Sequence, residues 1–288
     1  VIELKKHWHL DHHTPTRGLC FEAEASLYIE DSIYQQIEIL SSKDFGTVML
    51  LDKVLMLTSN DEYVYHEMLC HPPLFTHPCP EKVLIIGGGD CGTLTRVLQH
   101  DSVRKVVQVE IDEMVTRVAR KFFPQLAVAA YDPRSELVFD DGISYITACR
   151  NEFDVILVDS TDPVGAAEGL FRREFYQACH RALKPDGILC IQSESPWIPS
   201  LQEVIRSSYR DLGAIFREVH PYLASIQTYQ AGLWMFQLAS KAHSPFAPEV
   251  RDRIAGAGLA ASYYNADLHQ ACFVLPEFVR NLLLREQK

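Results

Sequence analysis

Long apolar runs are missing from this sequence. Stretches such as Val83–Ile86 and Val155–Val158 fall far short of the roughly 20 apolar residues that a membrane-spanning helix needs. No charged-then-apolar leader with a cleavage site opens the chain, so no secretory signal is expected. Positive charge is also short. Lys plus Arg number 27 against 38 Asp plus Glu, a net −11. A nucleic-acid partner is excluded, because that surface needs a basic footprint; cationic ligands are favoured. None of the eight cysteines forms a C-x-x-C pair. Scattered cysteines read as reduced thiols of a cytoplasmic protein, not as a disulfide framework. Internal repeats and low-complexity segments are absent as well.

What is present is 47% hydrophobic residue over 288 positions, enough for one large core or for a catalytic domain with a small satellite. Two rhythms divide the chain. Residues 1–60 are β-rich: 26–30, 36–40, 47–51 and 54–58 are short apolar or alternating runs. Phe45-Gly46 and Leu51-Asp52-Lys53 supply the turns. From 61 to 288 strands alternate with helices. A helix is expected over 61–69, with Asp61 as its N-cap and Pro72-Pro73 ending it. Strands follow at 83–86, 106–110, 136–139, 153–159 and 188–192, with helices at 93–99, 113–123, 143–149 and 173–183. Runs at 219–222 and 233–239 close the sheet, and 262–284 ends in a helix. The fold class is α/β: a Rossmann-like doubly wound sheet behind a small antiparallel β domain.

Gly87-x-Gly89-x-x-Gly92 lies between a strand and a helix, and Glu110 ends the next strand 23 positions after Gly87. That context turns a weak motif into an adenosine-type site, with Glu110 able to accept two ribose hydroxyls. Asp90, among the glycines, would repel a dinucleotide pyrophosphate or the carboxylate of S-adenosylmethionine. An ammonium-tipped aminopropyl arm would be attracted instead. The competing structural role of Asp90 is to cap the helix near Cys91.

Asp159 and Asp162 follow the fourth strand in D-S-T-D-P-V-G-A-A-E (159–168), where an open sheet presents its ligand crevice. A diamine, protonated at neutral pH with a pKa of ~10, must shed a proton before it attacks carbon. Asp159 is the candidate to orient the amine and take that proton; Asp162 would bind it. Either could instead cap the next helix. Tyr65 and Tyr229 are candidates to line a methylene chain, and Asp141-Gly142 to meet the adenine. His7, His9, His12 and His13 crowd the N-terminus without fixed ligand geometry, so no metal site is expected. Cys91 has no histidine base in its motif and is not read as a nucleophile.

The chain resembles the polyamine aminopropyltransferases, most closely the bacterial spermidine synthases. The resemblance rests on D-E-Y-V-Y-H-E-M-L (61–69), V-L-I-I-G-G-G-D (83–90), V-E-I-D (109–112), D-D-G (140–142), D-S-T-D-P-V-G (159–165), A-E-G-L-F (167–171) and Y-Y-N-A-D-L-H-Q-A-C-F-V-L-P (263–276). It spans nearly the whole chain, most loosely over the first 15 or so residues. It implies transfer of an aminopropyl group from decarboxylated S-adenosylmethionine, a co-substrate and not a bound cofactor, to putrescine. It also implies a homodimer or homotetramer assembled through the N-terminal parts. By position, Asp159 resembles the proton acceptor, and Asp90 and His66 resemble residues near the arm. Gln35, Glu110, Asp141, Gly142 and Ala166 resemble the donor site; Tyr65, His66, Asp162 and Tyr229 resemble the amine site. Three departures stand out: Cys91 replaces a glycine, Ala166 a proline, and Gln227 and Gln230 replace prolines around Tyr229. A small-molecule methyltransferase on the same fold, or a member that binds polyamine or nucleoside without turnover, are the alternatives.

Overall fold

The computed structural model describes residues 7–14, 17–162, 165–229 and 231–284; of residues 7, 13, 165 and 166 it describes the backbone alone. Six strands come first. β1 (His7–Thr14) and β2 (Arg17–Ala23) form an antiparallel ribbon, and β3 (Ala25–Asp31), β4 (Gln36–Ser42), β5 (Gly46–Leu51) and β6 (Val54–Thr58) a four-stranded meander. The sequence pattern missed β1 and β2, whose polar, histidine-rich run hides the alternation. The β5–β6 turn is a two-residue hairpin, Asp52 and Lys53 both having positive φ. That geometry matches the twist of the flanking strands.

The remainder alternates strands and helices as expected, with additional helices at 124–127, 202–213, 248–256 and 266–271 that the sequence pattern missed. In order come α1 (Glu62–Thr76), β7 (Lys82–Gly87), α2 (Gly92–Val97), β8 (Lys105–Glu110), α3 (Glu113–Phe122), α4 (Pro124–Ala127), β9 (Ser135–Phe139), α5 (Gly142–Ala148), β10 (Phe153–Asp159), α6 (Arg173–Ala182) and β11 (Leu183–Gln192). After them come α7 (Gln202–Gly213), β12 (Glu218–Ser225), β13 (Leu233–Ser240), α8 (Pro248–Gly256), α9 (Ala266–Ala271) and α10 (Glu277–Leu284). The large sheet has the order β12-β13-β11-β10-β7-β8-β9. Its first five strands in sequence are parallel; β13 and β12 close it antiparallel. Strand order reverses between β7 and β10, so their carboxyl ends flank the crevice where such sheets hold ligands.

Both faces of the sheet are covered. Val83, Ile85, Val155 and Leu157 pack toward α1 and α2, with Met68, Leu94 and Val97. Leu84, Ile86, Ile156 and Val158 face α5, α6 and α7, with Ile146, Phe175 and Leu212. The meander docks on α3: Ile37, Ile39, Met49 and Leu57 bury against Val115, Val118, Ala119 and Phe123. Its other face takes Phe21 and Ala23 from β2. This docking brings the 32–36 loop over the start of α3 and closes one side of the crevice. Among the described residues no helix is long and apolar enough to cross a membrane.

Two expectations about α1 are corrected. Pro72 and Pro73 do not end it; the helix runs on to Thr76. A proline at position i leaves the carbonyl of residue i−4 without its N–H partner. For Pro72 that carbonyl belongs to Met68, and the Tyr222 hydroxyl donates to it at 2.6 Å. Nor does Asp61 cap the helix through its side chain. Its carboxylate accepts instead from the Thr58 hydroxyl at 2.6 Å, and from the Thr228 N–H and hydroxyl at 3.0 and 2.7 Å. It thereby ties β6 to the segment that carries Tyr229.

Candidate active site

The glycine loop after β7 is shaped by close approach. A Cβ at Gly87, where φ is +87°, would lie 2.0 Å from the Asp159 carbonyl oxygen. The Gly88 N–H donates to that same oxygen at 2.9 Å. Gln108 Nε2 donates to Gly88 O and the Thr116 hydroxyl to Gly89 O, each at 2.8 Å, which holds the loop from β8 and α3. Cys91 has φ +68°, a conformation that costs a residue with a Cβ about 1–2 kcal/mol. Its thiol is buried and pushed up to about 12, chiefly by desolvation, so it is no nucleophile at neutral pH.

Carboxylates gather around this loop. Asp90 accepts the Gly92 N–H at 2.6 Å and faces His66 Nε2 at 3.3 Å, so it both holds the first N–H of α2 and pairs with a side chain of α1. Asp159, at the end of β10, accepts the Thr93 hydroxyl at 2.7 Å. Burial and the negative charge of Asp90 raise its proton affinity, against the pull of His66. The Tyr65 phenol is held well above its ordinary pKa, first by burial and then by the negative charge of Asp159. Tyr229 stacks edge-on with Tyr65 at 5.9 Å and with Trp234 at 4.6 Å. Its hydroxyl donates to Met56 O at 3.2 Å. Burial raises that phenol most, and Asp159, Asp61, Asp90 and Asp162 all add to the effect. The Tyr229 hydroxyl thus lies in the field of four carboxylates.

A narrow cleft opens beside Asp159. Tyr65, Tyr229, Trp234, Gln192 and Asp162 line it, together with Asp11 of β1. Glu194, just past β11, is buried with φ +61°. Burial first, then Asp162 beside it, hold its carboxyl well above the usual range.

On the other side of the loop Glu110 accepts the Asp112 N–H at 2.8 Å. Desolvation carries it up to about 7. Gly89 leaves room for it: a Cβ there would lie 2.9 Å from Glu110 Oε2. The Asp140 N–H bonds the Glu110 carbonyl at 3.1 Å, so the 140–142 turn adjoins Glu110. Asp141 caps α5, accepting from the Ile143 N–H and the Ser144 hydroxyl, and Gly142 packs on Ile86. Gln35 is engaged with Asp112, its amide donating to Oδ2 at 3.0 Å. It thus stands at the edge of the Glu110 region and not inside it.

Asp90, Asp159, Asp162, Tyr65, His66 and Tyr229 are therefore brought together, with Glu110 across the loop. Ala166 lies in the short helical turn Gly165–Phe171, but its side chain, like Pro163, Val164 and Gln230, lies outside the described residues. Gln227 is exposed. The sequence reading overlooked Asp11, Glu62, Thr93, Gln192 and Glu194. Gln192 and Glu194 carried a usable signal, since they sit at the carboxyl end of a sheet strand. Glu62 stands four residues before His66, one helical turn. Asp11 carried no local signal.

Among the described residues two groups bring potential metal ligands within 4.8 Å of one another: Cys70, His71 and His100, and His77, Asp186 and His243. In the first, His71 Nδ1 and His100 Nε2 bond each other at 3.0 Å, and burial keeps both rings below their ordinary pKa. In the second, His77 Nδ1 accepts the Cys79 N–H, so its hydrogen is on Nε2, toward Asp186. Of the N-terminal histidines, His9 bonds Lys53 O and packs on Phe21.

Residues 62–248 match the spermine/spermidine synthase domain, and residues 7–59 the spermidine synthase tetramerisation domain. The polyamine aminopropyltransferase of Bacillus subtilis (strain 168) is 41% identical over 96% of this chain and 98% of that protein. The one from Xanthomonas axonopodis pv. citri is 44% identical over 96% and 97%. A spermidine synthase in complex with the transition-state analogue AdoDATO superposes with a TM-score of 0.93 at 40% identity, covering 98% of this chain and 97% of that one. The Thermotoga maritima spermidine synthase gives 0.91 at 40%, covering 98% and 96%. Sequence, fold and the gathered carboxylates agree, and the chain belongs to the spermine/spermidine synthase family.

Proposed function

We propose that this chain transfers the aminopropyl group of decarboxylated S-adenosylmethionine to putrescine, yielding spermidine and methylthioadenosine. The observation that carries the reading is the run of contacts from Asp90 to His66, from His66 to Tyr65 and from Tyr65 to Tyr229, with Asp162 lining the same cleft as both tyrosines. Relatives named polyamine aminopropyltransferase, and a structural neighbour bound to AdoDATO, support it.

In this reading the nucleoside lies against Glu110, Asp141, Gly142, Gln35 and Ala166, with the ribose hydroxyls on Glu110. The donor's ammonium arm meets Asp90; the carboxylate of intact S-adenosylmethionine would be repelled there, which disfavours a methyltransferase. The diamine lies along Tyr65 and Tyr229, between His66 and Asp162. Asp159 takes the proton as the amine nitrogen bonds the carbon and the carbon–sulfur bond breaks. Its raised proton affinity narrows the gap to an alkylammonium of pKa ~10. Positive charge passes from sulfur to nitrogen beside fixed carboxylates, and orientation of the two reactants supplies much of the rate. The donor is a co-substrate, and no resident cofactor is required.

The division at residues 60 and 61, a cytoplasmic location and a homodimer or homotetramer belong to the same proposal. Trp8, Leu10, Leu27 and Ile29, exposed on β1 and β3, offer an apolar face for assembly.

The test is incubation of the protein with decarboxylated donor and putrescine, with products identified by mass spectrometry. Spermidine and methylthioadenosine are expected in equal amounts. A methylated amine from intact S-adenosylmethionine would favour the first alternative, and no product at saturation the binding-only one. Asp159→Asn should lower turnover by about 10²–10⁴ while donor affinity stays within a few-fold. Near-normal turnover would remove Asp159 from its role.

A further inference from the structure

His66 is gripped from two sides. Its ring packs on Gly92 so closely that a Cβ there would lie 2.0 Å from Cε1. Nδ1 lies 2.7 Å from Glu62 Oε2, and Glu62 also accepts from Arg96 Nη2 at 2.9 and 3.2 Å. A carboxylate that takes the Arg96 contacts offers only acceptor oxygens, so Nδ1 carries a hydrogen. Nε2 then points at Asp90 Oδ1, 3.3 Å away. A bare lone pair facing a carboxylate in this buried place would repel it, so a proton lies between them as well.

Electrostatics agrees with the geometry. Burial opposes charge on the ring, but Asp90 and Glu62 outweigh it and lift His66 to about 10. Around the ring stand also Tyr65, edge-on at 5.5 Å, and Asp159, whose carboxyl feels the His66 charge. Arg96 stands behind Glu62. Glu67 points away, its carboxylate accepting the N–H groups of residues 262–264.

We infer that Glu62 is a positioning residue: it fixes His66 with a proton on Nε2, so that His66 is the counter-cation of Asp90 until the donor arrives, and docking of the donor's ammonium arm on Asp90 expels that proton. The inference rests on the reading that Asp90 receives the arm. Two unit cations ~4 Å apart at an effective dielectric of about 20 disfavour the charged ring by a factor of about a thousand. That suffices to make a ring with a pKa of about 10 largely neutral at pH 8. The proton leaves Nε2 for solvent, Nδ1–H stays on Glu62, and the freed Nε2 lone pair can accept from the incoming ammonium. No covalent bond to carbon or sulfur changes.

Calorimetry at pH 8 in buffers of differing ionisation enthalpy counts the protons. Decarboxylated S-adenosylmethionine should release about one proton per molecule bound; methylthioadenosine, which lacks the arm, should release none. In Glu62→Gln the count for the decarboxylated donor should fall below half, with methylthioadenosine affinity retained as evidence of an intact fold. In His66→Gln the release should vanish while the donor still binds. Donor binding without proton release in the unmodified protein overturns the inference, as does an undiminished count in Glu62→Gln. Equal release by methylthioadenosine overturns it too, by assigning the proton to Glu110. Donor affinity unchanged in Asp90→Asn would instead sink the placement of the arm, and the inference with it.

Discussion

Glu110 stores a penalty in the ligand-free protein. Its carboxyl ionises near 4.5 when unconstrained but only at about 7 in the fold, chiefly because it is buried. Below the lower value folded and unfolded chains are both protonated, and the group is neutral to stability. Between the two values the unfolded chain ionises while the fold keeps the proton, so stability falls, and once pH has passed the higher value about 3 kcal/mol has been lost. Glu110→Gln is therefore expected to stabilise the protein at pH 8 by about 2 kcal/mol, some gain being forfeited to imperfect packing, and to change little at pH 4. Urea denaturation at the two pH values checks this. The same variant should weaken donor binding at least tenfold, since each lost charged hydrogen bond to a ribose hydroxyl is worth about 1.5–3 kcal/mol. A variant less stable than the parent at pH 8 would mean that burial does not burden this carboxylate. Cys91 is a second local burden, a side chain where the backbone has φ +68°.

At the scale of elements, α1 carries the clearest compensation. Its two internal prolines read in the sequence as a stop, because a proline's effect on its own helix is local. The remedy is not local: Tyr222, 154 residues from Met68, donates to the stranded carbonyl. Tyr222→Phe should cost about 1–3 kcal/mol, the price of a buried carbonyl without a partner. Combining it with Pro72→Ala, which restores a helical N–H, should recover part of the loss. Denaturation of the two single variants and the double variant measures the coupling, and strict additivity would refute it. Asp61 teaches the same lesson. Residue type and position predicted a cap, but Thr58 and Thr228 compete for the carboxylate and win. By contrast β7 and β10 are legible as they stand, because strands buried on both faces carry continuous apolar runs, here 83–86 and 155–158. β1 and β2 were not legible: β1 is polar and histidine-rich, and docking of Phe21 and Ala23 against the meander decides which face of the short β2 is buried.

For the whole molecule, the ribbon and the meander leave apolar side chains in solvent: Ile29 is 56% and Trp8 68% exposed. Their residues fall within the segment that matches a tetramerisation domain. Ile29→Glu together with Trp8→Glu should reduce the particle mass measured by light scattering to that of a smaller assembly or a monomer, with the fold retained by circular dichroism. An unchanged mass would place the interface elsewhere.

The alternation of β7 to β11 with α1, α2, α3, α5 and α6, the glycine loop, and the positions of Asp90, Glu110, Asp159 and Asp162 along the chain were legible in the sequence alone. Each depends on residue type at short spacing, where backbone geometry leaves little choice. The tertiary structure decided what those carboxylates face: His66 against Asp90, Glu194 beside Asp162, Asp11 from the first strand in the same cleft, and Tyr229 among them all. Such pairings join residues tens to hundreds of positions apart, and chain periodicity carries no information about which distant side chain will share a buried charge. Only the folded packing settles that, because burial makes each neighbour count.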